Sequence, residues 1–220
     1  MKDNIDLCGV PVKPYNAREA MERAQKLLET EPVSMVKMLT FQTLSKCGDV
    51  DGLTDILRSF DLLLIGDTEV FEAAGIDSAL VAKEIKERSF ARQFLKYLAR
   101  LKKCVFLITD TDEDLALSSR YLGENYKDLK ISASISMEGA DRSAERVANA
   151  INGSEAEVIL SLVSSPEEEE FFAENKNTIN SRLWLGLGKD SIGDGTDTER
   201  RKSWLRRRFE KRVLYRMSKK

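Results

Sequence analysis

The 220-residue chain contains no histidine. That absence removes Ser-His-Asp and Cys-His catalysis and the commonest zinc ligand. Any catalytic proton transfer must therefore use Asp, Glu, Lys, Tyr or Cys. Cysteine is scarce: Cys8, Cys47 and Cys104 are far apart, odd in number and without a Cys-x-x-Cys spacing. They are expected to be inert core thiols in a reducing compartment. Long hydrophobic runs are also missing. The apolar stretches at 62–65, 104–108 and 158–160 fall far short of the ~20 residues a membrane-spanning helix needs. The opening Met1-Lys2-Asp3-Asn4 carries acid and no apolar segment, so it does not read as a secretory signal. The four prolines and 12 glycines form no linker cluster. The expectation is one domain, residues 1–197, followed by a tail, residues 198–220.

What is abundant is charge, at 33% of residues. The net charge of −2 conceals an asymmetry: residues 199–220 hold 11 Lys/Arg against two Glu, a net of +9, which leaves −11 for the rest. A basic tail on an acidic body points to an anionic partner for the tail.

Along the body, short β-branched runs alternate with helical spacing. Residues 5–12 alternate as a first strand. Asn16 is placed to cap a helix carrying Ala17, Ala20, Met21, Ala24, Leu27 and Leu28, with Pro32 beyond its end. Strands are expected at 33–39, 62–65, 104–108, 129–135, 157–163 and 183–187. Helices are expected around Leu44 and over 53–60, 70–74, 79–87 and 90–101, then after the cap cluster 109–111, after Asp141, and from Pro166. Thr198 is placed to cap a tail helix. Repeated β-α-β units predict an α/β, Rossmann-like, mainly parallel sheet with helices on both faces, plus a basic C-terminal helical appendage.

Ligands in such sheets bind past the carboxyl ends of the strands. That rule makes Thr40, Asp67, Thr109, Asp110, Ser164 and Ser165 candidate cleft residues, against a plain reading of each as a loop or cap residue. The acidic run 167–170 reads as a first helical turn favoured by the helix dipole. Four consecutive helical positions point four ways and do not converge on one metal ion. Gly186-Leu187-Gly188 is only a fragment of a phosphate-binding fingerprint, without its third glycine or early position.

In the tail, Leu205, Phe209, Val213 and Met217 recur at four-residue steps, flanked by Trp204 and Tyr215. Arg206, Arg207, Arg208, Lys211, Arg212 and Arg216 surround that stripe. A basic helix with aromatics suits an anionic membrane surface, each basic residue contributing up to about 1 kcal/mol there. A helix docked on the body is the plain alternative. Nucleic acid ranks behind both.

With the chain order laid out, the sequence resembles the WecG/TagA/CpsF family of bacterial glycosyltransferases. The resemblance rests on Leu7-Cys8-Gly9-Val10-Pro11-Val12 followed by Asn16-Ala17-Arg18-Glu19-Ala20-Met21, on residues 61–67 ending in Gly66-Asp67, and on Glu87-Arg88. Val105-Phe106-Leu107-Ile108, the stretch 126–131, Pro166-Glu167-Glu168-Glu169 and Trp204-Leu205 ahead of Arg207-Arg208 complete it. It implies inverting, metal-independent transfer of an N-acetylhexosamine, typically N-acetylmannosamine, from a UDP-sugar to a polyprenyl-diphosphate-linked sugar, with no cofactor. It implies Asp67 as general base on the acceptor hydroxyl, and Thr40, Arg88, Thr109 and Glu168 as substrate-binding positions. The tail cations would meet the lipid diphosphate and the inner face of the cell membrane from the cytoplasm; self-association is left open. The chain also departs from the pattern. Thr68 replaces a glycine, Met38-Leu39-Thr40 stands for Thr-x-Asn, and Ala91-Arg92-Gln93 for Gly-x-Asp. Thr109-Asp110 stands for Gly-Gly, Glu168 for Gln, and the Gly-Tyr loop near 134–137 is changed. The alternative is a non-catalytic relative serving as a membrane-associated scaffold in polysaccharide assembly.

Overall fold

The computed structural model of the chain describes residues 4–138 and 143–189. The first apolar alternation folds as a hairpin, β1 (Ile5–Leu7) against antiparallel β2 (Val10–Val12), and not as the single strand expected. The reason lies at Cys8 and Gly9, whose φ values of 56° and 86° give the doubly left-handed turn that closes tight hairpins. Asp6 Oδ1 accepts from Gly9 N at 2.9 Å, and Arg58 Nε donates to Gly9 O at 2.7 Å. Cys8 is exposed at this turn, and Cys47 and Cys104 are only half-buried. None is the core thiol expected.

The main sheet and its crossovers follow in order. Helix α1 (Ala17–Leu27) leads to β3 (Ser34–Leu39), α2 (Phe41–Lys46), α3 (Leu53–Arg58) and β4 (Leu62–Ile65). Then come α4 (Thr68–Ala73), α5 (Ala79–Lys86), α6 (Ser89–Arg100), β5 (Cys104–Thr109), α7 (Asp112–Asn125) and β6 (Lys130–Ser136). The order closes with α8 (Ala144–Gly153), β7 (Val158–Leu162), α9 (Glu167–Asn175) and β8 (Leu183–Gly186). Asn16 caps α1 in a reciprocal box, its side chain accepting from Glu19 N while Glu19 accepts from Asn16 N. Ser143 caps α8 through Arg146 N. The expected cap Asp141 lies outside the described residues, as do Thr198 and the whole tail.

The six strands form one sheet in the order β4-β3-β8-β7-β5-β6, and every neighbouring pair is parallel. Period-two alternation sends Met35, Leu39, Ile65, Phe106 and Trp184 into one apolar layer, with α3, α8, α9 and the hairpin. Val36, Met38, Leu64, Leu107 and Leu185 enter the other, with α1, α6 and α7. Burial on both faces explains why the central strands read as unbroken apolar runs. Each fully buried large side chain contributes roughly 1.5–3 kcal/mol. The charged exception is Lys37 in the middle of β3, 1% exposed.

Candidate functional site

The parallel sheet brings its strand ends to one edge. β3 ends at Thr40, β4 at Gly66-Asp67, β5 at Thr109-Asp110, β7 at Ser164-Ser165 and β8 at Leu187. Each expected cleft residue is therefore on that edge, positioned by a strand and, in two cases, by the helix it caps. Thr40 caps α2 through Thr43 N at 3.2 Å. Asp67 caps α4 through Val70 N at 2.8 Å.

Asp67 and the β3 end are tied directly. Asp67 Oδ2 accepts from Phe41 N at 2.7 Å, while Oδ1 holds the start of α4. The carboxylate thus bridges the two loops and has a set orientation, half-buried at the sheet edge. Gly66 makes this approach feasible: a Cβ there would stand 2.8 Å from Leu39 O. Gly66 N instead donates to that oxygen at 2.7 Å.

On the other half of the edge, Asp110 accepts from Ser164 N at 2.9 Å and from the Ser164 hydroxyl. Lys189 Nζ lies 3.7 Å from Asp110 and 2.8 Å from Asp114. Burial would raise the Asp114 carboxyl, but hydrogen bonds from Lys189 and Thr111 outweigh it and leave it below the usual range. Thr109 is fully buried, and its hydroxyl donates to Thr111 O at 3.0 Å.

Between the halves, a polar chain runs from the edge into the core. Thr40 Oγ1 lies 3.1 Å from Thr43 Oγ1, which lies 2.8 Å from Ser165 Oγ. Ser165 Oγ donates to Glu169 Oε1 at 2.8 Å. Lys37 Nζ lies 2.7 Å from the same Glu169 oxygen and also pairs with Glu168. Trp184 Nε1 donates to Glu168 Oε1 at 2.9 Å. One ammonium thus faces two carboxylates, all three fully enclosed, and Glu169 Oε2 finds no donor among the described residues. Burial opposes the charge on Lys37, but attraction from Glu168 and then Glu169 prevails and holds its pKa well above the ordinary lysine value. Glu168 is pushed up, first by burial and further by Glu169, with Lys37 pulling the other way. Both directions follow from a cluster that would carry one excess negative charge in a low-dielectric core.

The expected substrate-binding position Glu168 is therefore already engaged by Lys37 and Trp184, away from the open edge. The acidic run 167–170 does open a helix, as expected, yet only Glu167 and Glu170 face outward. Among the described residues no three Asp, Glu or Cys side chains gather in a set able to hold a metal ion. Gly186 also acquires a reason unconnected with nucleotide: the Glu168 carboxylate fills the space its Cβ would take, 2.6 Å away.

Arg88 immediately precedes α6, with φ 53°. It lines a small cavity with Met38, Ile65 and Phe90, just short of the β3 and β4 ends. Sequence reasoning passed over Lys37, Glu169 and Thr43. The signal was present in Lys37, since a lysine inside an unbroken apolar strand must find buried carboxylates.

The model of the WecG/TagA/CpsF glycosyl transferase family matches residues 5–219, nearly the whole chain. The chain belongs to that family. No curated protein matches the chain. Membership carries a glycosyltransferase-like fold and, in general terms, a nucleotide-sugar donor and a lipid-linked acceptor. Among the described residues no helix is long and apolar enough to cross a membrane.

Proposed function

We propose that this family member transfers an N-acetylhexosamine, N-acetylmannosamine-like, from a UDP-sugar to a polyprenyl-diphosphate-linked sugar. The observation that carries this reading is the fixed carboxylate of Asp67 at the sheet edge, bridging Phe41 N and Val70 N. In the proposed step Asp67 removes the proton from the acceptor hydroxyl. The freed oxygen bonds to the anomeric carbon of the donor sugar. The bond from that carbon to the UDP oxygen breaks, its electron pair leaves with the diphosphate, and the configuration inverts without help from a metal. General-base assistance of this kind contributes roughly 10²–10⁴-fold. Arg88 and the tail cations Arg206, Arg207, Arg208, Lys211, Arg212 and Arg216 would take up diphosphate charge. The protein would act on the cytoplasmic face of the membrane, in cell-envelope polysaccharide synthesis.

A second reading, a non-catalytic scaffold in the same assembly, is favoured by a separate observation. Asp110, where the family has glycine, places a carboxylate beside Ser164 on the half of the edge where the nucleotide would be expected. The experiment that separates the two is calorimetry of the full chain against UDP and a panel of UDP-N-acetylhexosamines. Saturable binding that prefers one sugar supports the transferase and names its donor. A folded protein that binds no nucleotide leaves the scaffold.

A further inference from the structure

Helix α6 has two distinct sides. Phe90, Ala91, Phe94, Leu95 and Leu98 are buried. Arg92 and Lys96 stand one turn apart on another flank, about 6 Å along the axis, and Arg88 precedes the first turn. That flank forms one wall of a cavity of about 380 Å³, bounded also by Lys86 from the end of α5 and by Tyr121 and Tyr126 across from it. Four cations thus line one concavity.

The lining holds a single carboxylate, Glu87, and Glu87 is shared with Lys83, 4.0 Å away. Among the described residues no carboxylate forms an ion pair with Lys86, Arg92 or Lys96. This concentration of positive charge sits in a body whose net charge is −11 outside the tail. A concave wall of low dielectric focuses the potential and draws in an anion. Burial pushes the Tyr126 phenol up while Arg92 pulls it back, consistent with Arg92 leaning into the cavity.

We propose that the groove between α6 and α7 binds a diphosphate group. The Arg92 fork suits two phosphate oxygens at once, Lys86 and Lys96 add point charges, and the Tyr121 hydroxyl can donate. The volume lies at the small end of ligand clefts, enough for a diphosphate and part of what it carries. Arg88 lines both this groove and the smaller cavity beside Met38 and Ile65. A ligand anchored here by its diphosphate extends toward the carboxyl ends of β3 and β4. Binding is measured without turnover, so the inference stands or falls separately from the transfer chemistry.

The test is calorimetry of the full chain with inorganic diphosphate at 0.15 M salt. The Arg92→Gln/Lys96→Gln double variant keeps good helix formers at both positions, and Lys176→Ala, just past the end of α9, removes an exposed charge elsewhere. Saturable binding is expected, weakened about tenfold or more in the double variant and unchanged by Lys176→Ala. Diphosphate should also protect Lys86 and Lys96 of the unsubstituted protein from acetylation. Absence of saturable binding, equal affinity in the double variant, or no protection would each overturn the proposal. Displacement of inorganic diphosphate by a nucleoside diphosphate marks a soluble ligand, and displacement by a short-chain prenyl diphosphate marks a lipid headgroup. Displacement by neither also overturns it.

Discussion

The Glu168 carboxylate occupies the space that a Cβ on Gly186 would need, with Oε1 at 2.6 Å and Oε2 at 2.9 Å from that position. β8 carries glycine opposite Lys37 of β3 because an acid from α9 reaches across the sheet there. Neither carboxylate oxygen can move aside cheaply, since one holds Trp184 and the other holds Lys37. Gly186→Ala should therefore destabilise the fold by roughly 1–3 kcal/mol, the usual cost of overpacking. Urea unfolding would measure it. A midpoint equal to that of the parent would mean the Lys37 cluster yields more easily than its geometry indicates.

Removing the ammonium should be worse. Lys37→Met leaves two carboxylates buried without a cation, a loss of about 3–5 kcal/mol. Replacing Lys37, Glu168 and Glu169 together by apolar residues of similar volume should recover most of that loss, because the desolvation of all three charges is then avoided. A triple variant no more stable than Lys37→Met would show that the cluster acts through packing alone.

The cluster also sets a pH dependence, and the two groups act in different windows. The raised Lys37 contributes stability that is fully present below the ordinary lysine value near 10.4 and is lost as pH rises beyond it. Glu168 is raised as well, so the folded state holds its proton more tightly than the unfolded chain does. Its effect is a loss of stability as pH rises from the ordinary glutamate value near 4.3 toward its folded value. Glu168→Gln, which restores the residue the family carries, keeps an acceptor for Trp184 and leaves Lys37 paired with Glu169. Urea midpoints taken from pH 4 upward should flatten in this variant. A slope identical to the parent would clear Glu168 of the effect.

Asp67→Asn tests the proposed base. Transfer should fall by roughly 10²–10⁴ in kcat. Asparagine caps helices as well as aspartate does but has a single side-chain acceptor oxygen, so one of the bonds from Phe41 N and Val70 N weakens, at about 1 kcal/mol. Turnover at the parental rate would leave Asp67 a cap and nothing more.

The thiols should react in an order set by exposure. Cys8 is exposed on the hairpin turn. Burial pushes the Cys47 thiol up to about 11, which leaves little thiolate at neutral pH. Titration with a chromogenic disulfide should show a fast phase that Cys8→Ser removes. A fast phase surviving that change would place the reactive thiol elsewhere.

For the tail, deletion of residues 199–220 is expected to abolish flotation with anionic vesicles while the circular dichroism of the body stays folded. Flotation of the truncated protein would move the membrane contact onto the body.

Much of this protein was settled by the sequence alone. The apolar runs at 62–65 and 104–108, the cap at Asn16 and the helical spacing after it are local signals, so they are legible without neighbours. So was the parallel sheet, because strands alternating with helices have few other ways to pack. The strand-end rule places Thr40, Asp67 and Ser165 at the edge without knowledge of their contacts. What only the tertiary structure decided depends on residues distant in the chain. Lys37 and Glu168 lie 131 positions apart, and nothing near either one announces the partner. Gly186 reads locally as a fragment of a phosphate loop, but its reason is the Glu168 carboxylate beside it. The break at Cys8-Gly9 competed with an uninterrupted alternation, and a turn decided by two φ angles leaves only a faint mark in composition. Side chains that meet across a sheet are matched by packing and charge in three dimensions, and that matching has no period along the chain to read.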